Sequence, residues 1–277
     1  MPDLQTWNFI PTNHKMTDPN RSSFLFRFLT KVGEIGDLFN QTFKNIFTKS
    51  WEKKNFLQQL EEIGVKSLPI VTITAAFGGL VFGLQIYIAF TRYVGHGSEA
   101  YSGPIISLGL AKELIPVFVG LMLAGRVGSS MAAEIGTMKI TEQIDALFSL
   151  GADPNRFLVV PRTLACIIIL PMLTLYGDFI GILSGFFYNI VLMGVNRHVY
   201  ITNTLTYFEM WDVVSGLIKA VFFGVIIAII GCWQGLSTEA GAEGVGKATT
   251  RAAVISSVLI LIFNFFLSEF LPGSFTG

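Results

Sequence analysis

Five apolar stretches, each near the length that crosses a bilayer, constrain this chain more than any other feature. A hydrocarbon core about 30 Å thick takes roughly 20 helical residues. Residues 68–90 meet that length without a charge. Residues 105–125 meet it with Lys112, Glu113 and Pro116 inside. Residues 163–193 are longer than needed and carry Pro171 and Asp178, so this span is expected to tilt, bend or protrude. Residues 213–233 contain Lys219, and residues 252–271 contain Asn264 and Glu269. The composition agrees: 52% of residues are hydrophobic, 14% are charged, and 25 are Phe. Together they predict an all-α integral membrane protein with five transmembrane helices, forming one membrane domain over residues 68–277.

Basic residues fix the expected orientation. Lys and Arg concentrate in the N-terminal section, in 126–162 (Arg126, Lys139, Arg156, Arg162) and in 234–251 (Lys247, Arg251). Arg92 and Arg197 lie on the other side. By the positive-inside rule the N-terminus is cytoplasmic and the C-terminus is outside, which five spans satisfy.

Before the first span, residues 1–23 form a polar tail with no sign of a cleavable leader. In residues 24–67 the pattern changes. Phe24, Phe28, Val32, Ile35, Phe39, Phe43, Ile46 and Phe47 recur at intervals of one, three and four among Arg21, Arg27, Lys31, Lys44, Lys49, Lys53 and Lys54. This is an amphipathic helix for the membrane interface, or one whose stripe packs on the protein's own spans.

Residues 126–162 form the longest polar interruption, and they have internal order. Ile140, Ile144, Leu147 and Phe148 recur at helical spacing. Thr141 is placed to cap a short helix, with Glu142 and Asp145 in its first turn and Gly151 and Pro154 to end it. Its apolar face would lie on the membrane body, leaving Glu142, Gln143, Asp145 and Ser149 in water. Such a helix offers a grip to a soluble partner; a solvated loop without a partner is the plainer reading.

Charges inside spans need partners, a wet cavity or an interface. Lys112 and Glu113 are sequence neighbours and point about 100° apart on a helix, so they are not expected to pair with each other. Small residues at four-residue intervals, Ala75, Gly79 and Gly83 in the first span and Gly181 and Gly185 in the third, mark close helix contacts. Residues 241–247, GAEGVGK, imitate the start of a phosphate-binding loop. Ala248 stands where a hydroxyl should bind magnesium, however, and no soluble strand precedes it. Cys166 and Cys232 fall in apolar runs, and His14, His96 and His198 are scattered. No metal, cofactor or catalytic group is expected, and the zero net charge gives no reason to expect a nucleic acid.

The stretch AGRVGSSMAAEIGTMKITEQIDAL, followed by LGADPNRFLVVPR, closely resembles the MlaE/YrbE/TGD1 permeases of lipid-transporting ABC systems. The likeness continues in GLQIY at 83–87, LAKELIPV at 110–117, DVVSGLIKAVFFG at 212–224 and GVGKATTRAAV at 244–254. The resemblance implies a permease subunit without its own ATPase site, paired with a second copy of itself in the bacterial inner membrane. It also implies a cytoplasmic ABC ATPase dimer, an extracytoplasmic MCE-domain protein and a phospholipid or related lipid as cargo. Leu84, Tyr87, Lys112, Glu113 and Leu114 would then face the lipid cavity. Glu134 and Thr137 join Glu142, Gln143, Asp145 and Ser149 as candidate residues for ATPase coupling. Two other classes compete: an ion-coupled carrier using Asp178, Lys219 and Glu113, and a scaffold that carries no cargo.

Overall fold

The computed structural model describes residues 24–48, 53–95, 99–239 and 241–271. Among them there is no strand. Five helical runs are long and apolar enough to cross a membrane: Lys54–Val94, Ser102–Ile140, Asn155–Leu192, Met210–Leu236 and Ala242–Phe270. The five-span, all-α expectation holds, and the chain is a multi-pass membrane protein.

Each run extends past its apolar stretch. Helix α2 (Lys53–Gly64) passes through one 3₁₀ turn at Val65–Ser67 into α3 (Leu68–Ala89), so helical structure continues across the boundary expected at residue 67. Lys54 and Glu61 point outward while Ile63 is buried, so polarity on one face lowers hydropathy without ending the helix. The second span proceeds through α4 (Ser102–Gly109), α5 (Ile115–Leu123) and α6 (Ser129–Ile140), joined by π turns at Leu110–Leu114 and Ala124–Gly128. Residues 126–140, read from sequence as part of a loop, are therefore the C-terminal end of this span. Arg126 anchors that end to the first span by donating to Ser67 Oγ and to the Glu62 carbonyl.

Helix α1 (Phe24–Thr48) combines the two readings of its stripe. Leu38 is fully buried and Ile35 packs on the core, whereas Leu29, Val32 and Phe39 remain exposed. Trp233 Nε1 donates to Glu34 Oε2 over 3.2 Å, and Thr42 Oγ1 lies 3.2 Å from Asn155 Oδ1. The helix is thus strapped to the end of the bundle that carries Asn155 and Trp233, and still presents apolar residues outward. Arg21 and Lys49 lie outside the described residues, as do the side chains of Phe24, Arg27, Phe28, Phe47 and Lys53.

The third span centres on α8 (Val160–Phe187) and the fourth is α10 (Met210–Leu236). The fifth is α11 (Ala242–Phe270). A further helix, α9 (Arg197–Tyr207), stands between the third and fourth; Asn196 caps it, its Oδ1 accepting from the amides of His198 and Val199. The start of α10 is closed by a reciprocal Glu209–Asp212 capping box.

The two small-residue stripes face each other across α3 and α8. A Cβ on Gly79 would run into the carbonyl of Gly181, and one on Gly83 would lie 3.3 Å from Gly185 Cα. With no hydrophobic force between helices in lipid, this close backbone approach is what holds the pair. Gly79→Val is expected to destabilise the protein by about 2 kcal/mol or more, since the obstacle is backbone and cannot swing aside. Gly246→Ala, which meets open space, is expected to leave thermal stability in detergent unchanged or raised.

Candidate functional site

The second, fourth and fifth spans meet at one buried ammonium. Lys219 on α10 has no exposed side-chain surface. Its Nζ lies 2.7 Å from Glu113 Oε1, 2.8 Å from Ser268 Oγ and 3.0 Å from the Lys112 carbonyl. Three N–H donors meet three acceptors, which is what lets a cation sit inside a bundle. The third acceptor is available for a covalent reason. Pro116 has no N–H to offer the carbonyl one turn back, that of Lys112, and the ammonium takes that place.

The carboxylate is equally well held. Asn264 Nδ2 donates to Glu113 Oε2 over 3.2 Å, and Ser268 Oγ stands 2.9 Å from Glu113 Oε1. Asn264 and Ser268 are one turn apart on α11, so the fifth span contributes one polar face to the cluster. Glu113 keeps 38% of its side chain exposed. The pair is therefore sealed on the lysine side and open on the glutamate side.

Lys112 and Glu113 thus part company, as their angular offset requires. Glu113 is committed to Lys219, while half-buried Lys112 makes no ion pair among the described residues. Leu84 and Tyr87 on the first span, and Leu114 beside Glu113, are half-buried. No bond joins them to the cluster directly. The large apolar groove lies elsewhere, about 930 Å³ between α1 and the last three spans, with Phe39, Phe43, Phe222, Ile226, Leu259 and Phe263 among its walls. Sequence reasoning marked Lys219 as needing a partner but missed Ser268. The four-residue interval from Asn264 to Ser268 was the available signal.

At its C-terminal end the second span is left in a tight turn. Thr141 does not cap the following helix: it ends the preceding one, its hydroxyl turned back to the Thr137 carbonyl at 2.9 Å. Glu142 occupies the left-handed region at φ 60°, and α7 (Gln143–Ser149) begins after it. The reversal needs a residue in that region, so no side-chain cap forms. The far end follows expectation. Gly151 sits at φ 73°, with its amide bonded to the Phe148 carbonyl and that of Ala152 to Leu147. Ile144 is buried and Leu147 and Phe148 pack on the core. Glu142, Gln143, Asp145 and Ser149 are exposed.

Beneath α7 the bundle is clamped. Glu134 Oε2 receives Arg162 Nη2 at 2.7 Å, and Lys139 Nζ reaches the Leu236 carbonyl at 2.6 Å. Glu134, grouped with the coupling residues from sequence, is thus tied to the third span, whereas Thr137 is exposed.

The imitation of a phosphate-binding loop fails on geometry. Gly241 has φ 92° and α11 starts at Ala242, so residues 244–247 are helical and Lys247 pairs with Glu243 at 2.7 Å. Cys166 and Cys232 are buried free thiols. Among the described residues no three His, Cys, Asp or Glu side chains are grouped to hold a metal.

Residues 56–270 match the family model described as Permease MlaE. The chain belongs to the MlaE permease family. It is 49% identical over 215 residues to a probable ABC transporter permease protein of Rickettsia typhi, covering 78% of this chain and 82% of that one. A probable ABC transporter permease protein of Synechocystis is 44% identical over 231 residues, or 83% of this chain and 87% of the relative. The chloroplastic protein TRIGALACTOSYLDIACYLGLYCEROL 1 of Arabidopsis thaliana is 41% identical over 217 residues, or 78% and 61%. An MlaE-family permease is the transmembrane subunit of an ABC transporter, which implies a separate ATPase.

The cluster makes an unequal pair of variants. Glu113→Gln leaves a sealed ammonium without its counter-ion and is expected to cost about 2–3 kcal/mol, short of a fully buried pair because Glu113 is partly exposed. Glu113→Gln with Lys219→Met removes the charge as well and is expected to recover part of that loss in thermal melts.

Proposed function

We propose that this permease, as a homodimer in the bacterial inner membrane, moves phospholipid or a related lipid between that membrane and an extracytoplasmic MCE-domain carrier. An ATPase dimer docked on α7 drives it. The observation that carries the reading is the half-open Glu113–Lys219 cluster inside a bundle whose relatives are ABC permeases, one of them named for a galactolipid. A lipid needs an apolar wall with a few polar groups near one end. Leu84, Tyr87 and Leu114 supply the wall, Lys112 and the open edge of Glu113 the polar end, and the second copy completes the cavity. Glu113 beside Lys112 makes this a site that orients a headgroup rather than gripping an anion. On the orientation set by basic residues, the N-terminus and α7 are cytoplasmic and the cluster lies toward the outer side.

The ATPase meets Thr137, Glu142, Gln143, Asp145 and Ser149. Glu134 passes the push through Arg162 into the third span. The clamped inner end converts movement of α7 into movement of whole helices, and the packing between the two copies changes with it. An ion-coupled carrier finds less support, because Glu113 and Lys219 neutralise one another and leave no relay to Asp178.

Photocrosslinkers at Leu84, Tyr87 and Leu114 are expected to capture lipid to an extent that changes when the ATPase is trapped with nucleotide. One at Phe179, 65% exposed on the third span, should capture bulk lipid regardless. The same response at all four positions would remove the cavity assignment. In the charge-reversed Glu142→Lys, Asp145→Lys variant, ATPase co-purification or its coupling to transport should fall at least tenfold. Wild-type assembly and transport would show that the ATPase docks elsewhere.

A further inference from the structure

Asp178, at the middle of the third span, is unlike every other acid in the bundle. It is 3% exposed, and neither carboxyl oxygen has a hydrogen-bond partner. One turn earlier on the same face, Thr174 is fully buried and its hydroxyl is also unpartnered. At 3% exposure the Asp178 side chain does not reach the bundle surface by extending along the helix.

The surrounding wall is apolar and tight. One and two turns further along the face that carries Asp178, a Cβ on Gly181 would lie 3.1 Å from Ile115 Cδ1 and one on Gly185 would lie 2.9 Å from Ile106 Cγ2 and 3.5 Å from the Gly79 carbonyl. Asp178 therefore sits where the third span presses on the first and second, at the depth of Ile115. Glu113 is two residues from Ile115 and about 200° around the helix. The ion pair and the lone acid occupy opposite sides of the second span.

Nor does any titratable group of the packed elements neutralise it. Glu113 and Lys219 are joined to each other and Glu134 to Arg162. Glu62 is paired with Lys66, Glu34 holds Trp233, and Asp212 closes the cap of α10. Lys112 and Tyr87 are half-buried and make no bond to the Asp178 carboxyl.

We propose that Asp178 is a proton-binding site: a carboxylic acid held in its neutral form at the seam of the first three spans. An isolated carboxylate in hydrocarbon would cost far more than a neutral acid with one poorly satisfied O–H, so the proton is what permits the packing. The proton can exchange only when the third span parts from the second. The proton is therefore held for as long as the third span stays packed on the second. This rests on burial and packing alone and stands whatever the cargo is.

Infrared spectroscopy of the full chain in lipid vesicles reads the proton directly, because COOH and COO⁻ stretches are separate. At neutral pH, Asp178→Asn should remove a COOH band seen in the wild type and leave the COO⁻ region unchanged. Glu113→Gln should do the reverse. Loss in the COO⁻ region for Asp178→Asn would show an ionised group, with a bound cation or water, and overturn the proposal. If Asp178→Asn fails to insert, the Asp212→Asn protein with ¹³C-carboxyl aspartate keeps the question decidable. An isotope-shifted COOH band supports the site, and its absence refutes it.

Discussion

The saturated ammonium of Lys219 is the interaction on which the rest of the bundle depends. A lysine within a span is tolerated only if its donors are filled, and here each of the three meets an oxygen from the second or fifth span. Filling them fixes three helices relative to one another. The fourth span cannot rotate without leaving a charge unpaired, nor can the fifth withdraw without taking Ser268 and Asn264 from the pair. One acceptor exists because Pro116 left the Lys112 carbonyl free, so a local irregularity of the second span is part of the tertiary lock.

The first and third spans are held differently. Their contact is a seam of Ala75, Gly79, Gly83, Gly181 and Gly185, where backbone meets backbone with Ile106, Ile115 and Asn189 packed at its edge. Directional polar bonds therefore secure one side of the second span and close van der Waals packing the other. A polar lock resists rotation; a glycine seam permits sliding until a side chain blocks it.

At one end of the bundle, α1 and α7 converge on one segment. Thr42 of α1 contacts Asn155, just beyond the loop that follows α7, and Glu34 holds Trp233 near the C-terminal end of the fourth span. The N-terminal helix is thus fastened beside α7, and it also shows an apolar side away from the bundle. Glu134–Arg162 and Lys139–Leu236 complete the clamp.

Much of this was legible in the order of the residues. Hydrophobic length determined the five spans, because the hydrocarbon core sets how many helical residues are needed. Four-residue spacing of small residues marked the α3–α8 seam, and Gly151 marked the end of α7, because those features are local and recur every turn. The motif run at 126–162 was sufficient to name the family. Helix ends were less visible: α2 and the inner half of the second span read as interfacial or loop segments, since a helix with one polar face lowers hydropathy without breaking. Thr141 read as a cap because its side chain could serve either neighbouring helix, and only the left-handed Glu142 decides between them. Angular offset separated Lys112 from Glu113, but which partner each buried charge takes lay beyond the sequence. Glu113 finds Lys219 rather than Lys112, and Asp178 finds nothing, because both outcomes depend on how five helices are rotated about their axes, and that rotation is set by packing across the bundle.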